Sequence, residues 1–147
     1  MSTRSRIALA LPNGCFASIY CHWDGYPGGV GARLTEHYSS AELATALIAL
    51  GDISSLRQRV APPEGAAHTF ADPHCCTTQA YGRDRGDKGT SAVRSVNFTA
   101  LLAASTQCDA EYLYVYSDGR WSFVAVPWVK GAAMPTEVDL IEVEVAA

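Results

Sequence analysis

The chain has 147 residues, 48% hydrophobic and 18% charged, with a net charge of −4. That length suits one domain with its own core, and the balance of residues excludes a disordered chain. Net acidity speaks against non-specific nucleic-acid binding, which needs clustered Lys and Arg, but leaves room for a small anion on a few local arginines.

Ile7–Leu11 and Phe16–Cys21 flank Pro12-Asn13-Gly14 and predict a β-hairpin, because Asn-Gly supplies the positive φ angles of a tight turn. His22–Gly31 reads as a loop, since Asp24-Gly25 and Pro27-Gly28-Gly29 are turn formers. A short helix is predicted over Val30–Tyr38. A second follows over Ser40–Leu50, with a capping box in Ser39-Ser40-Ala41-Glu42, an apolar stripe of Leu43, Leu47 and Leu50, and Gly51 as its left-handed cap. Arg57–Cys75 is broken by Pro62-Pro63, Gly65 and Asp72-Pro73 and reads as a long irregular segment.

Cys76–Tyr81 is predicted as a strand, Gly82–Gly89 as a polar loop and Phe98–Ala104 as a helix. Tyr112–Tyr116 and Trp121–Val126 flank Asp118-Gly119 and form a second hairpin. Its tyrosines 112, 114 and 116 share one face, a part of which is expected to stay exposed as a groove or a homo-oligomer surface. Val138–Val145 completes the pattern as a further strand. The fold class expected is α+β: one domain with a mostly antiparallel β-sheet and two or three helices packed on one face.

The Ile7–Leu11 run is shorter than a signal-peptide core and nothing approaches a membrane span, so no membrane partner is expected. Five cysteines form an odd set and read as reduced thiols in a cytoplasmic protein. Cys21-His22 and His74-Cys75-Cys76 lack the C-x-x-C or H-x-x-x-H spacing of a zinc site. Neighbouring ligands on a strand point apart, so no metal and no cofactor are expected.

The most informative stretch is Tyr20-Cys21-His22-Trp23-Asp24-Gly25-Tyr26-Pro27, a mixture that apolar folding alone would not select. Tyr20, Trp23 and Tyr26 would wall or stack a ligand, while His22 and Asp24 orient polar contacts. Backbone amides of the glycine run, Gly29 among them, would approach an anion. The run lacks the Walker and G-x-G-x-x-G endings, and a plain strand-to-helix turn explains its glycines equally well. Tyr81, Arg83 and Arg85 form a second polar cluster, read either as a self-neutralising loop or as a source of guanidinium forks for a phosphate or carboxylate. His22, Asp24 and His37 are the acid–base groups of an enzymatic alternative, a nucleotide-directed hydrolase or transferase. Trp23 is expected to pack against the Val30–Tyr38 helix and so fix the loop.

The runs Ile19–Pro27, Gly29-Val30-Gly31, His37-Tyr38, Leu47–Leu56 and Ala80–Gly86, with Glu111–Tyr114, Asp118-Gly119 and Trp121, resemble a group of small uncharacterised proteins of bacteriophage, prophage and mobile-element genomes. The resemblance implies an accessory protein that blunts host defence, acting in the host cytoplasm if phage-encoded. The leading expectation is a non-catalytic binder of a small anionic, nucleotide-like ligand. The alternative is an interaction protein that inhibits a host defence enzyme through an acidic and aromatic surface that includes Glu137, Asp139, Glu142 and Glu144.

Overall fold

The computed structural model describes residues 2–144. Strands β1 (Ser5–Ala10) and β2 (Phe16–Cys21) pair antiparallel from Ser5↔Cys21 to Ala10↔Phe16. The turn between them places Asn13 at φ 66° and Gly14 at φ 76°, the left-handed angles that Asn-Gly tolerates. Helix α1 (Ala32–His37) follows a single π-turn over Pro27–Gly31, and α2 covers Ala41–Ala49. After β3 (Ile53–Ser55) a long irregular segment leads to β4 (Gln79–Ala80) and helix α3 (Tyr81–Arg85). Strand β5 (Val93–Ser95) and helix α4 (Phe98–Gln107) precede the second hairpin, β6 (Tyr112–Ser117) and β7 (Arg120–Ala125). Short β8 (Ile141–Glu142) closes the described chain.

The two hairpins join through their first strands, β1 lying parallel to β6. One sheet results, in the order β4-β3-β2-β1-β6-β7-β8, with β5 beside β2. Most neighbours are antiparallel, as expected for this α+β fold, but the helices pack on both faces of the sheet and not on one as expected. Alternation along the central strands then builds two apolar layers. Ile7, Ile19, Cys21, Ile53, Tyr114 and Trp121 meet Val30, Leu34 and Tyr38 around α1, together with Ala44, Leu47 and Ile48 of α2, on one face. Ala8, Phe16, Leu113, Val115 and Val124 meet Phe98, Leu101 and Leu102 of α4 on the other.

Several expected details are corrected. The N-cap of α2 is Ser40, whose Oγ accepts from Leu43 N at 3.1 Å, whereas Ser39 donates back to Thr35 O. Ala44 and Ile48 flank Leu47 in the core while Leu43 is exposed, so the buried stripe of α2 is rotated from the expected one. The expected strand over Cys76–Tyr81 shrinks to Gln79–Ala80, and the expected loop opens with α3. Glu137–Asp139 forms a 3-10 turn where a strand was expected, and Val145 lies outside the described residues. Tyr114 and Tyr116 are buried under α1 and α2, so of the tyrosine face only half-buried Tyr112 lines a surface groove, beside Glu111 and Trp128.

Trp121 is the largest fully buried side chain, and its Nε1 donates to Tyr38 O at 3.0 Å. Trp121→Ala is expected to cost about 3–5 kcal/mol. Trp121→Phe, which leaves the Tyr38 carbonyl unpaired, should cost about 1–3 kcal/mol. Urea unfolding of the two variants beside the parent checks both values.

Candidate functional site

Beyond Cys21 the chain stays alongside β3, with His22 N donating to Ile53 O at 3.2 Å and Trp23 N to Ser54 O at 3.0 Å. It then turns sharply: Asp24 adopts φ 57°, Gly25 N donates to Thr3 O at 2.8 Å, and Val30 N returns to Asp24 O at 2.8 Å. Tyr114 Oη reaches from β6 to donate to the Gly25 carbonyl at 2.6 Å. A Cβ on residue 25 would fall 2.7 Å from Thr3 O and 2.8 Å from Ser5 Cβ, so only glycine fits. Backbone bonds therefore fix this loop. Burial of Trp23 does not, because its ring is 44% exposed and that of Tyr26 is 46% exposed.

Tyr20 and His22 share a strand face with Arg4, Arg6 and Ser18. Tyr20 Oη and His22 Nδ1 are 2.6 Å apart, and the His22 and Trp23 rings meet edge to face at 4.7 Å. Burial together with the Arg4 guanidinium beside them holds His22 below the usual histidine range. Burial raises the Tyr20 phenol against the opposing pull of Arg4. Arg6 is only 5% exposed and spends its guanidinium on Ser18 Oγ at 2.7 Å, Ser18 O at 3.4 Å and Cys108 Sγ at 3.7 Å. No carboxylate lies within ion-pair distance of Arg4 or Arg6 among the described residues. Asp52, the acidic group whose field reaches Arg6, accepts Tyr20 N at 2.9 Å. Burial raises its pKa, opposed by that amide and by Arg6. The corner is therefore cationic in an acidic protein, and it ends in an exposed indole.

The other expected site residues divide. Asp52 ties Tyr81 to this corner, since its carbonyl accepts Tyr81 N at 3.2 Å. Arg83 and Arg85 are committed elsewhere. Arg83 donates to Val60 O, to Thr78 O at 2.8 Å and to Asp84 Oδ1 at 2.7 Å. Arg85 pairs with Asp87 at 2.7 Å and lies over the Phe70 ring at 4.5 Å and the Tyr81 ring at 4.9 Å. Gly29 is buried, its N–H donates to Tyr26 O at 2.9 Å, and a Cβ there would overlap Asp24 O. The amides of Gly29 and Val30 are spent within the turn and that of Gly25 on Thr3 O, so none of these three is free to cradle an anion. Asp24 faces Arg33 at 3.9 Å and His37 faces Glu36 at 3.6 Å, and among the described residues no hydrogen bond joins His22, Asp24 and His37. The Cys21 thiol is buried and pushed up to about 12, too high for a nucleophile at neutral pH. Arg4 and Arg6 are the site residues that sequence reasoning missed. Their i, i+2 spacing at the head of β1 was the available signal.

No family model, curated protein or solved structure matches this chain. Among the described residues no group of three or more His, Cys, Asp or Glu side chains could hold a metal ion, and no helix is long and apolar enough to cross a membrane.

Asp84 organises the long segment that flanks the site. It accepts from Ala80 N at 2.8 Å and from His68 Nε2 at 2.9 Å, besides Arg83. His68 Nδ1 accepts His74 N at 2.9 Å, so the imidazole carries its proton on Nε2. Burial of Asp84 raises its pKa, but the bonds from Arg83, Ala80 and His68 outweigh it and hold the carboxyl at about 2. The folded protein thus binds this proton less tightly than the unfolded chain. Its stabilisation is present above the unfolded value of about 4 and fades as pH falls towards about 2. Asp84→Asn should cost about 2 kcal/mol at neutral pH and flatten the acid limb of the stability profile in that window. Chemical unfolding at several pH values checks both outcomes.

Proposed function

We propose that this protein binds a small anionic, nucleotide-like ligand at the Arg4–Tyr20–His22–Trp23 corner and does not turn it over. The observation that carries this reading is the pairing of a cationic corner without a carboxylate partner and a half-exposed Trp23 ring braced by His22. Arg4 would take the anionic group through charge-assisted bonds, and Trp23 would stack a base. Tyr20 and His22 would present polar edges between them. The resemblance to phage-type accessory proteins supports a role as a sponge for a host signalling nucleotide in the host cytoplasm.

A second reading, a protein that inhibits a host defence enzyme, draws on a different surface. A groove of about 470 Å³ is lined by Val126, Trp128, Val129 and Met134, and Trp128 is 86% exposed. A protein partner captured with no small molecule, and lost on Trp128→Ala, would favour that reading.

A thermal-shift screen against linear and cyclic nucleotides tests the ligand reading. A nucleotide present at about a hundred times its Kd should add about 2.7 kcal/mol of stability. Trp23→Ala should weaken binding by about 1–3 kcal/mol, and Arg4→Gln by about 1.5–3 kcal/mol. A ligand consumed in many equivalents per chain would replace the sponge by an enzyme. pH supplies an independent check. An anion beside Arg4 would raise the depressed His22, so binding takes up a proton and tightens as pH falls through the histidine range. His22→Gln should flatten that dependence, as read by calorimetry at several pH values.

A further inference from the structure

Cys75 and Cys76 lie outside the proposed ligand corner. Consecutive residues on a strand would direct their thiols apart, but here both sit in a turn closed by Thr77 N donating to His74 O at 3.1 Å. Their Sγ atoms come to 3.5 Å. Two further anchors hold the turn: Arg57 donates to His74 O at 3.2 Å and Cys75 O at 3.4 Å, and His74 Nδ1 meets Thr77 Oγ1 at 2.9 Å. Cys75 is exposed and Cys76 half-buried, so both sulfurs can be approached from solvent.

We propose that Cys75 and Cys76 form a chelating dithiol for a trivalent, thiophilic arsenic species. Soft thiolates select soft centres. Trivalent arsenic keeps a lone pair and is pyramidal, so two sulfurs bound to it at about 2.3 Å subtend about 95–100° and lie about 3.4–3.5 Å apart, close to the separation already present. A disulfide fits the same pair poorly, because Cα atoms across a trans peptide are about 3.8 Å apart and ordinary disulfides need at least about 4.4 Å. Among the described residues no third His, Cys, Asp or Glu joins the pair, which disfavours zinc with its usual four ligands. A centre that brings its own third substituent meets that constraint, as an organoarsenous acid does. In the chelation step two As–S bonds form and two As–OH bonds break. Each thiol proton leaves with a hydroxide as water, and arsenic stays trivalent throughout.

The test uses the full chain, reduced with a phosphine, and phenylarsine oxide as the probe, followed by intact mass spectrometry. One adduct per chain is expected, with two thiol protons lost as water. It should survive excess glutathione and be removed by a small dithiol such as dimercaptopropanol. Cys75→Ser and Cys76→Ser should each lose the glutathione-resistant adduct while keeping the parent's thermal midpoint. No adduct, an adduct stripped by glutathione, or one that persists in either variant would each overturn the proposal. Should Cys76→Ser fail to fold, the exposed Cys75→Ser decides the matter alone.

Discussion

The candidate site depends on the carbonyl of Gly25. It is buried, so it must be paired, and the partner comes from β6, the neighbour of β1, as Tyr114 Oη at 2.6 Å. Burial drives the Tyr114 pKa upward, which keeps the phenol a donor at any ordinary pH. The Gly25 amide donates to Thr3 O, and there is no room for a Cβ on that residue. One glycine therefore fixes the start of β1, the exit of β2 and the entry to α1 relative to β6. Trp23, two residues earlier, inherits its position from that junction rather than from a pocket of its own.

The two sheet faces carry different chemistry. The face under α1 and α2 is apolar almost without interruption, from Ile7 and Ile19 through Tyr114 and Trp121. The opposite face is apolar only beneath α4, where Phe98, Leu101 and Leu102 meet Leu113 and Val115. Along β1 and β2 that face changes to Arg6, Ser18 and Tyr20, with Cys108 at the end of α4 as the boundary. A guanidinium as buried as Arg6 without a carboxylate partner loses hydration that two serine oxygens and a thiol replace only in part. Asp52 offsets some of that loss through its field, and Arg6 in turn pulls down an Asp52 pKa that burial raises.

Where the sequence was legible, one or two residues dictated a backbone geometry. Asn13-Gly14 and Asp118-Gly119 require positive φ angles, and both turns fall there. Ser40 and Gly51 mark the ends of α2 because a hydroxyl cap and a left-handed glycine have few other uses. Strand β3 escaped notice because its existence depends on a parallel contact at Cys21↔Ile53, not on any pattern within three residues. Helix α3 escaped because Gly82, Arg83, Asp84 and Arg85 have loop composition. The helix ends in Gly86 at φ 79° and is stabilised by tertiary bonds to Asp84. Trp23 is exposed for a related reason: main-chain bonds to Thr3, Ile53 and Ser54, all non-local in sequence, fix the loop without burial of the indole.

The same distinction separates scaffold from site. Arg83 and Arg85 stood out in sequence, yet Arg83 donates to two carbonyls and to Asp84, and Arg85 is paired with Asp87 and stacked on the Phe70 ring. Asp84 and Asp87 cancel their charges, so this segment can hold the 57–78 stretch but has little left for a ligand. Arg4 and Arg6 drew no attention, and they are the cations without an acidic partner near the aromatic row. In a chain of net charge −4 such a corner carries charge of the opposite sign, the arrangement that would favour an anion there over the remaining surface. On the ligand reading proposed above, an anion held there would also need a flat group to meet Trp23 at the distance that the Gly25 junction sets.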